Sequence, residues 1–140
     1  MAETYPRAPI TEAVLAFRFS ARAAQGDLQR AIDKLQKFYP ISDTQTETKI
    51  QVEADTGKSS VERRWFGARL SSTDRTEVAL CRPAEFACSK LAPYTNWSDL
   101  SARARRDWDL LRRALGAIPI SRIGLRYLNR LDIPDKPEGT

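Results

Sequence analysis

The chain has 140 residues, with 23 Lys or Arg against 18 Asp or Glu, a net charge of +5 and a pI near 9.5. That length fits one domain with a substantial core, and a hydrophobic content of 41% beside 29% charged residues is that of an ordinary globular protein. Histidine is absent, which excludes Ser-His and Cys-His nucleophile pairs, histidine metal ligands and the commonest general base.

No run approaches the ~18 consecutive apolar residues of a membrane span. The opening Met1-Ala2-Glu3-Thr4-Tyr5-Pro6-Arg7 lacks the charged-then-apolar order of a secretory signal, so the chain is expected in the cytoplasm and not in a membrane. Cys81 and Cys88 make neither a disulfide framework nor a metal site of the usual ligand count, and read as reduced core residues.

In chain order, Ala8 to Ser20 opens with an extended Pro9 and then alternates, with Ala13, Leu15, Phe17 and Phe19 on one side and Val14 and Ala16 on the other. A strand apolar on both faces belongs inside its sheet. Asp27 is expected to cap a helix from about Leu28 to Phe38 whose buried stripe is Leu28, Ala31, Ile32, Leu35, Phe38 and Tyr39, stopped by Pro40. Thr46 to Ala54 reads as an edge strand, followed by a turn. The Gly57-Lys58-Ser59 in that turn does not make a phosphate loop, because Val52 stands where the first glycine belongs.

Three short strands follow, about Arg64 to Ser71, Thr76 to Arg82 and Phe86 to Leu91, joined by Ser72-Thr73-Asp74-Arg75 and by a turn at Pro83. A second helix, capped at Asn96 or Ser98, runs to about Leu115 with Gly116 as its stop. Its stripe is Trp97, Leu100, Ala104, Trp108, Leu111 and Leu115, and its opposite face is assigned Arg103, Arg106 and Arg113. The last strand, Arg122 to Pro134, turns Ile123, Leu125, Tyr127 and Leu131 toward the core and Arg122, Gly124, Arg126, Leu128 and Arg130 away from it. Together these elements predict an α+β domain: an antiparallel-rich sheet of about six strands with both helices on one face, in the order strand, helix, four strands, helix, strand.

Two motifs, Ala8-Pro9-Ile10-Thr11-Glu12-Ala13 and the run from Arg122 to Pro134, with Phe38-Tyr39-Pro40 and Pro93-Tyr94-Thr95-Asn96-Trp97 between them, resemble those of a sporadically distributed bacterial family. The resemblance spans nearly all of the chain. It implies that members are longer, so that residues 1–140 form one domain at the N-terminal end of a larger protein. It implies no activity, cofactor or catalytic residue.

Three functions are weighed on the residues themselves. The first is a non-catalytic binding or assembly module whose arginine-bearing sheet face, Arg122, Arg126 and Arg130, meets an anionic ligand, a second copy or a C-terminal domain; the bland alternative pairs those arginines with Glu12, Glu77 or Asp132. The second is a nucleic-acid-binding domain, in which Arg103, Arg106 and Arg113 would add phosphate contacts. The third is an enzyme acting on a phosphorylated or nucleotide substrate, with Arg18, Arg69, Arg82, Arg126 and Arg130 gathered around phosphate groups. The sequence offers no catalytic, cofactor or metal-ligating set, so the module is preferred over the enzyme. The sheet face away from the helices is expected to be covered, because Val14, Ala16, Gly124 and Leu128 leave it more apolar than a solvated face.

Overall fold

In the computed structural model, which describes residues 10–92 and 96–129, six strands form one antiparallel sheet in the order β2-β3-β4-β5-β1-β6. The strands are β1 (Ile10–Phe19), β2 (Ile41–Val52), β3 (Ser59–Ser71), β4 (Glu77–Arg82), β5 (Glu85–Leu91) and β6 (Ile120–Asn129), with α1 (Gln25–Leu35) after β1 and α2 (Trp97–Leu115) after β5. The predicted α+β class, element order and common helix face are all present. Helix α1 lies over β3 and β4, and α2 over β5 and β1. Leu28, Ala31, Ile32 and Leu35 of α1 and Leu100, Ala104, Leu111 and Leu115 of α2 close on Ala13, Leu15, Phe17, Leu70, Cys81, Phe86 and Cys88 of the sheet. Trp108 stacks on Phe17 with ring centroids 5.2 Å apart.

Local chemistry explains most of the boundaries. Asn96 caps α2 by accepting from the Asp99 backbone N–H at 2.8 Å, and Gly116 ends that helix at φ +77°, a conformation glycine adopts without a Cβ clash. Helix α1 begins earlier than predicted: Ala24 is its N-cap with no side-chain cap, and Asp27 lies inside the first turn, where its charge faces the helix dipole and pairs with Arg30. The helix also ends sooner, at Leu35, while Tyr39 stays buried in the turn beyond it. Between β3 and β4, Asp74 accepts from the Ser72 hydroxyl at 2.7 Å and from Thr76 N–H at 3.0 Å, bonds that hold its carboxyl down to about 2.

The β2–β3 hairpin outruns the sheet. Its strands are longer than the sequence suggested, and β3 pairs with β4 only from Ala68 to Ser71, so the rest is a two-stranded arm. One face of the arm sets opposite charges across the strands, Glu47 against Arg64 and Lys49 against Glu62; the other carries Ile50, Val52 and Val61. A bulge on β3, where Phe66 is the extra residue between Gly67 opposite Gln45 and Trp65 opposite Thr46, marks where the arm leaves the sheet, with Gly67 at φ +105°.

One expectation fails at the opposite edge. Ile123, Leu125 and Tyr127 do point to the helix side, since they pair with Phe17, Leu15 and Ala13 of β1, yet they are 59%, 42% and 41% exposed. Width is the reason. Six strands about 4.8 Å apart span about 24 Å between their outer axes, while two helices of about 10 Å diameter cover about 20 Å. The helices sit over the inner strands, and the edges are left over. Leu131 lies outside the described residues. Trp97, assigned to the α2 stripe, is 46% exposed in the first turn of its helix.

Candidate binding face

On the open side of the sheet, strand pairing fixes which side chains share a row. Arg82, Glu85, Arg18 and Arg122 lie side by side across β4, β5, β1 and β6; the next row is Leu80, Ala87, Ala16 and Gly124. Arg126 stands beside Val14 one row further on, and Arg69 of β3 faces Leu80. Arg18, Arg69, Arg82 and Arg126 therefore do share one face. The Ala16 methyl and the bare backbone of Gly124 floor a recess of about 400 Å³ walled by Arg18, Arg122, Arg126 and Glu85.

The arginines of this face are not equivalent. Arg82 donates to Gln45 Oε1 at 3.3 Å and lies over the Phe66 ring at 5.3 Å, and Arg69 stands opposite Asp43. Arg18, Arg122 and Arg126 are exposed and form no ion pair among the described residues. The bland pairings do not occur there either: Glu12 accepts from the Ser89 hydroxyl at 2.5 Å, and Glu77 pairs with Arg103 at 2.8 Å. Arg18 and Arg122 are direct cross-strand neighbours, so two like charges oppose each other, an arrangement that destabilises a strand pair unless an anion lies between them. Arg130 and Asp132 fall outside the described residues.

The helix-borne arginines part company. Arg103 is not on a solvated face but 8% exposed, with Asp107 fully buried one turn later. The Arg103 guanidinium donates to Tyr39 Oη at 2.9 Å, to the Val78 carbonyl at 3.2 Å and to the Ser89 carbonyl, and its Nε pairs with Glu77. The Tyr39 hydroxyl donates to Asp107, whose other oxygen accepts from Arg106 Nε at 3.0 Å. Arg106 also stacks on Phe38 at 3.7 Å. Arg113 stands apart, lining a recess with Asp33, Lys34 and Lys37. The three arginines proposed for one helix face thus have three different environments.

This network binds the turn that follows α1 to α2 and the sheet, and no buried side-chain N or O atom among the described residues lacks a hydrogen-bond partner. A fork of donors aimed at two carbonyls, a phenol and a carboxylate suits arginine and no other residue. The sequence carried a signal for it: position 103 is three after Leu100, and 107 is three after Ala104 and four before Leu111, so both fall within the apolar stripe.

Burial pushes the Tyr39 hydroxyl up, helped by Cys88 and Asp107 and opposed by Arg103. Burial likewise pushes both thiols up, with the Asp107 charge adding to the effect. Cys81 and Cys88 are free and buried. Both are therefore expected to react with a maleimide in native buffer far more slowly than after unfolding, with mass spectrometry as the readout; rapid native labelling at either position contradicts the burial.

Among the described residues no group of three or more His, Cys, Asp or Glu could hold a metal ion, and no helix is long and apolar enough to cross a membrane. No protein-family model matches the chain, and neither a curated protein nor a solved structure shows significant similarity to it.

Proposed function

We propose that the chain is a non-catalytic binding or assembly module whose open sheet face takes an extended, multiply charged anionic partner. The observation that carries this reading is the direct opposition of Arg18 and Arg122; with Arg126 they set three arginines against the single carboxylate of Glu85 around a recess floored by Ala16 and Gly124, and none of the three is in an ion pair among the described residues. Arg126 lies four residues along the strand from Arg122, about 13 Å, so the partner must present negative charge at more than one point. Charge-assisted bonds from guanidinium groups suit phosphate or carboxylate oxygens equally. Two free buried thiols fit the reducing cytoplasm assigned from the sequence.

Tripolyphosphate and orthophosphate serve as probes, with thermal unfolding and calorimetric titration as readouts. Tripolyphosphate is expected to raise the melting temperature of the chain and orthophosphate to do so much less. Arg18→Gln removes the repulsion with Arg122 but also the attraction to Glu85 on its other side, so by itself it should change stability by less than about 0.5 kcal/mol while abolishing the tripolyphosphate effect. A variant that responds to tripolyphosphate as the wild type does overturns the reading.

A further inference from the structure

Strand β6 is the outermost strand of the sheet, ten residues long and without proline, and no described strand pairs with its outer edge. Ile123 and Leu125 on its helix side and Leu128 on its open side are 59%, 42% and 46% exposed. A long edge strand with exposed apolar side chains on both faces is a template for another strand; its guards among the described residues are the charges of Arg122 and Arg126, both on the open side, and a register shift confined to its first residues at Ile120, with no lysine and no covering helix. We propose that the partner is a second copy of this chain, joined antiparallel through β6 about a two-fold axis centred on Leu125, so that two six-stranded sheets become one.

The register follows from charge. An axis perpendicular to the sheet keeps each face on its own side, and for a strand from 120 to 129 the two registers of greatest overlap centre on Gly124 or on Leu125. Centring on Gly124 sets Arg122 against Arg126 of the second copy, twice, with like charges directly opposed. Centring on Leu125 sets Arg126 against Gly124 of the second copy and Arg122 against Leu128, while Leu125 meets itself and Ile123 meets Tyr127. Every arginine then faces an uncharged residue.

The second register also supplies a carboxylate. Leu128 pairs with Glu12 on its inner side, so Arg122 looks across Leu128 of the second copy to its Glu12. Two strand spacings, about 10 Å, separate their Cα atoms, a gap that extended Arg and Glu side chains close. Glu12 has no cationic partner within its own chain among the described residues.

The pairing alters the anion recess as well. Arg126 of the second copy comes to lie on Gly124, part of the recess floor, and each recess gains a guanidinium from across the axis. Glycine is the residue that leaves room for that stem, and nothing lies within 4 Å of where a Cβ at 124 would stand. The dimer does not rest on the anion-binding reading; only this added arginine does.

Sedimentation velocity and crosslinking through one introduced cysteine, with the native Cys81 and Cys88 buried, test the proposal. The chain is expected to sediment as a dimer at high micromolar concentration, and Leu125→Lys to weaken dimerisation by at least about tenfold. Leu125 is partly exposed, so the variant should stay folded, and thermal unfolding checks that it does. Leu125→Cys should form an intermolecular disulfide on mild oxidation. Ile123→Cys should not, because its symmetry mate is four residues away, about 13 Å and well beyond disulfide reach. A monomer at high micromolar concentration without a Leu125→Cys crosslink overturns the dimer; crosslinking at 123 and not at 125 overturns this pairing. A monomeric chain that still responds to tripolyphosphate leaves the recess reading standing alone, and a dimer indifferent to tripolyphosphate does the reverse.

Discussion

Replacing Asp107 with alanine is expected to destabilise the chain by about 3–5 kcal/mol, the scale observed when one partner of a buried, hydrogen-bonded ion pair is removed. Asp107 is fully buried and accepts from Tyr39 and Arg106, and the Cys88 thiol lies 3.5 Å away. Without it the Tyr39 hydroxyl loses its acceptor and Arg106 loses its ion pair, while the buried Arg103 keeps Glu77 and the Val78 and Ser89 carbonyls but loses the negative charge behind Tyr39. Denaturant melts with an unchanged slope would read the loss as stability, whereas a changed slope would report a different end state. Tyr39→Phe keeps the ring and removes only the hydroxyl, so a smaller loss of about 1–3 kcal/mol is expected. If Asp107→Ala costs under 1 kcal/mol, the network is not what joins the turn after α1 to α2 and the sheet.

Gly67→Ala is the second large effect expected, at about 3 kcal/mol or more. A Cβ added at Gly67 would meet the Cys81 carbonyl oxygen at 1.9 Å and its carbon at 2.9 Å, and the residue sits at φ +105°, outside the region that side chains favour. Two penalties coincide: backbone of β3 forced off backbone of β4, and a strained dihedral. Gly57→Ala is the control. It has positive φ too, +68°, but nothing within 4 Å of the added carbon, so only the left-handed cost of about 1–2 kcal/mol remains. Equal losses at the two sites would show that conformation alone, and not the close approach to Cys81, dictates glycine at 67.

Much of the architecture was readable from pattern. Alternation in Ala13, Leu15, Phe17 and Phe19 placed β1 inside the sheet and identified its core face, and the Asn96 cap and Gly116 stop bounded α2 because those residues act locally on adjacent backbone groups. The same alternation correctly divided β6 into a helix side and an arginine side. Boundaries set by longer-range pairing were less legible: the β2–β3 arm exists because its two strands pair along their whole length, with Glu47 opposite Arg64 and Ile50 opposite Val61, which no single strand announces.

The arginines show where sequence reading stops. Side-chain polarity suggested that Arg103 faces water with Arg106 and Arg113, but its position in the stripe, between Leu100 and Asp107, decides otherwise once Tyr39 and the Val78 and Ser89 carbonyls supply acceptors. Those acceptors lie 64, 25 and 14 residues away, and only folding brings them together. Likewise the face of Leu125 follows from its neighbours in the chain, whereas its burial depends on how far two helices reach across six strands. Periodicity is a property of adjacent residues and therefore determined the elements, their faces and their order. Coverage, charge pairing and the meeting of Arg18 with Arg122 depend on which distant strands become neighbours, and those the tertiary structure decided.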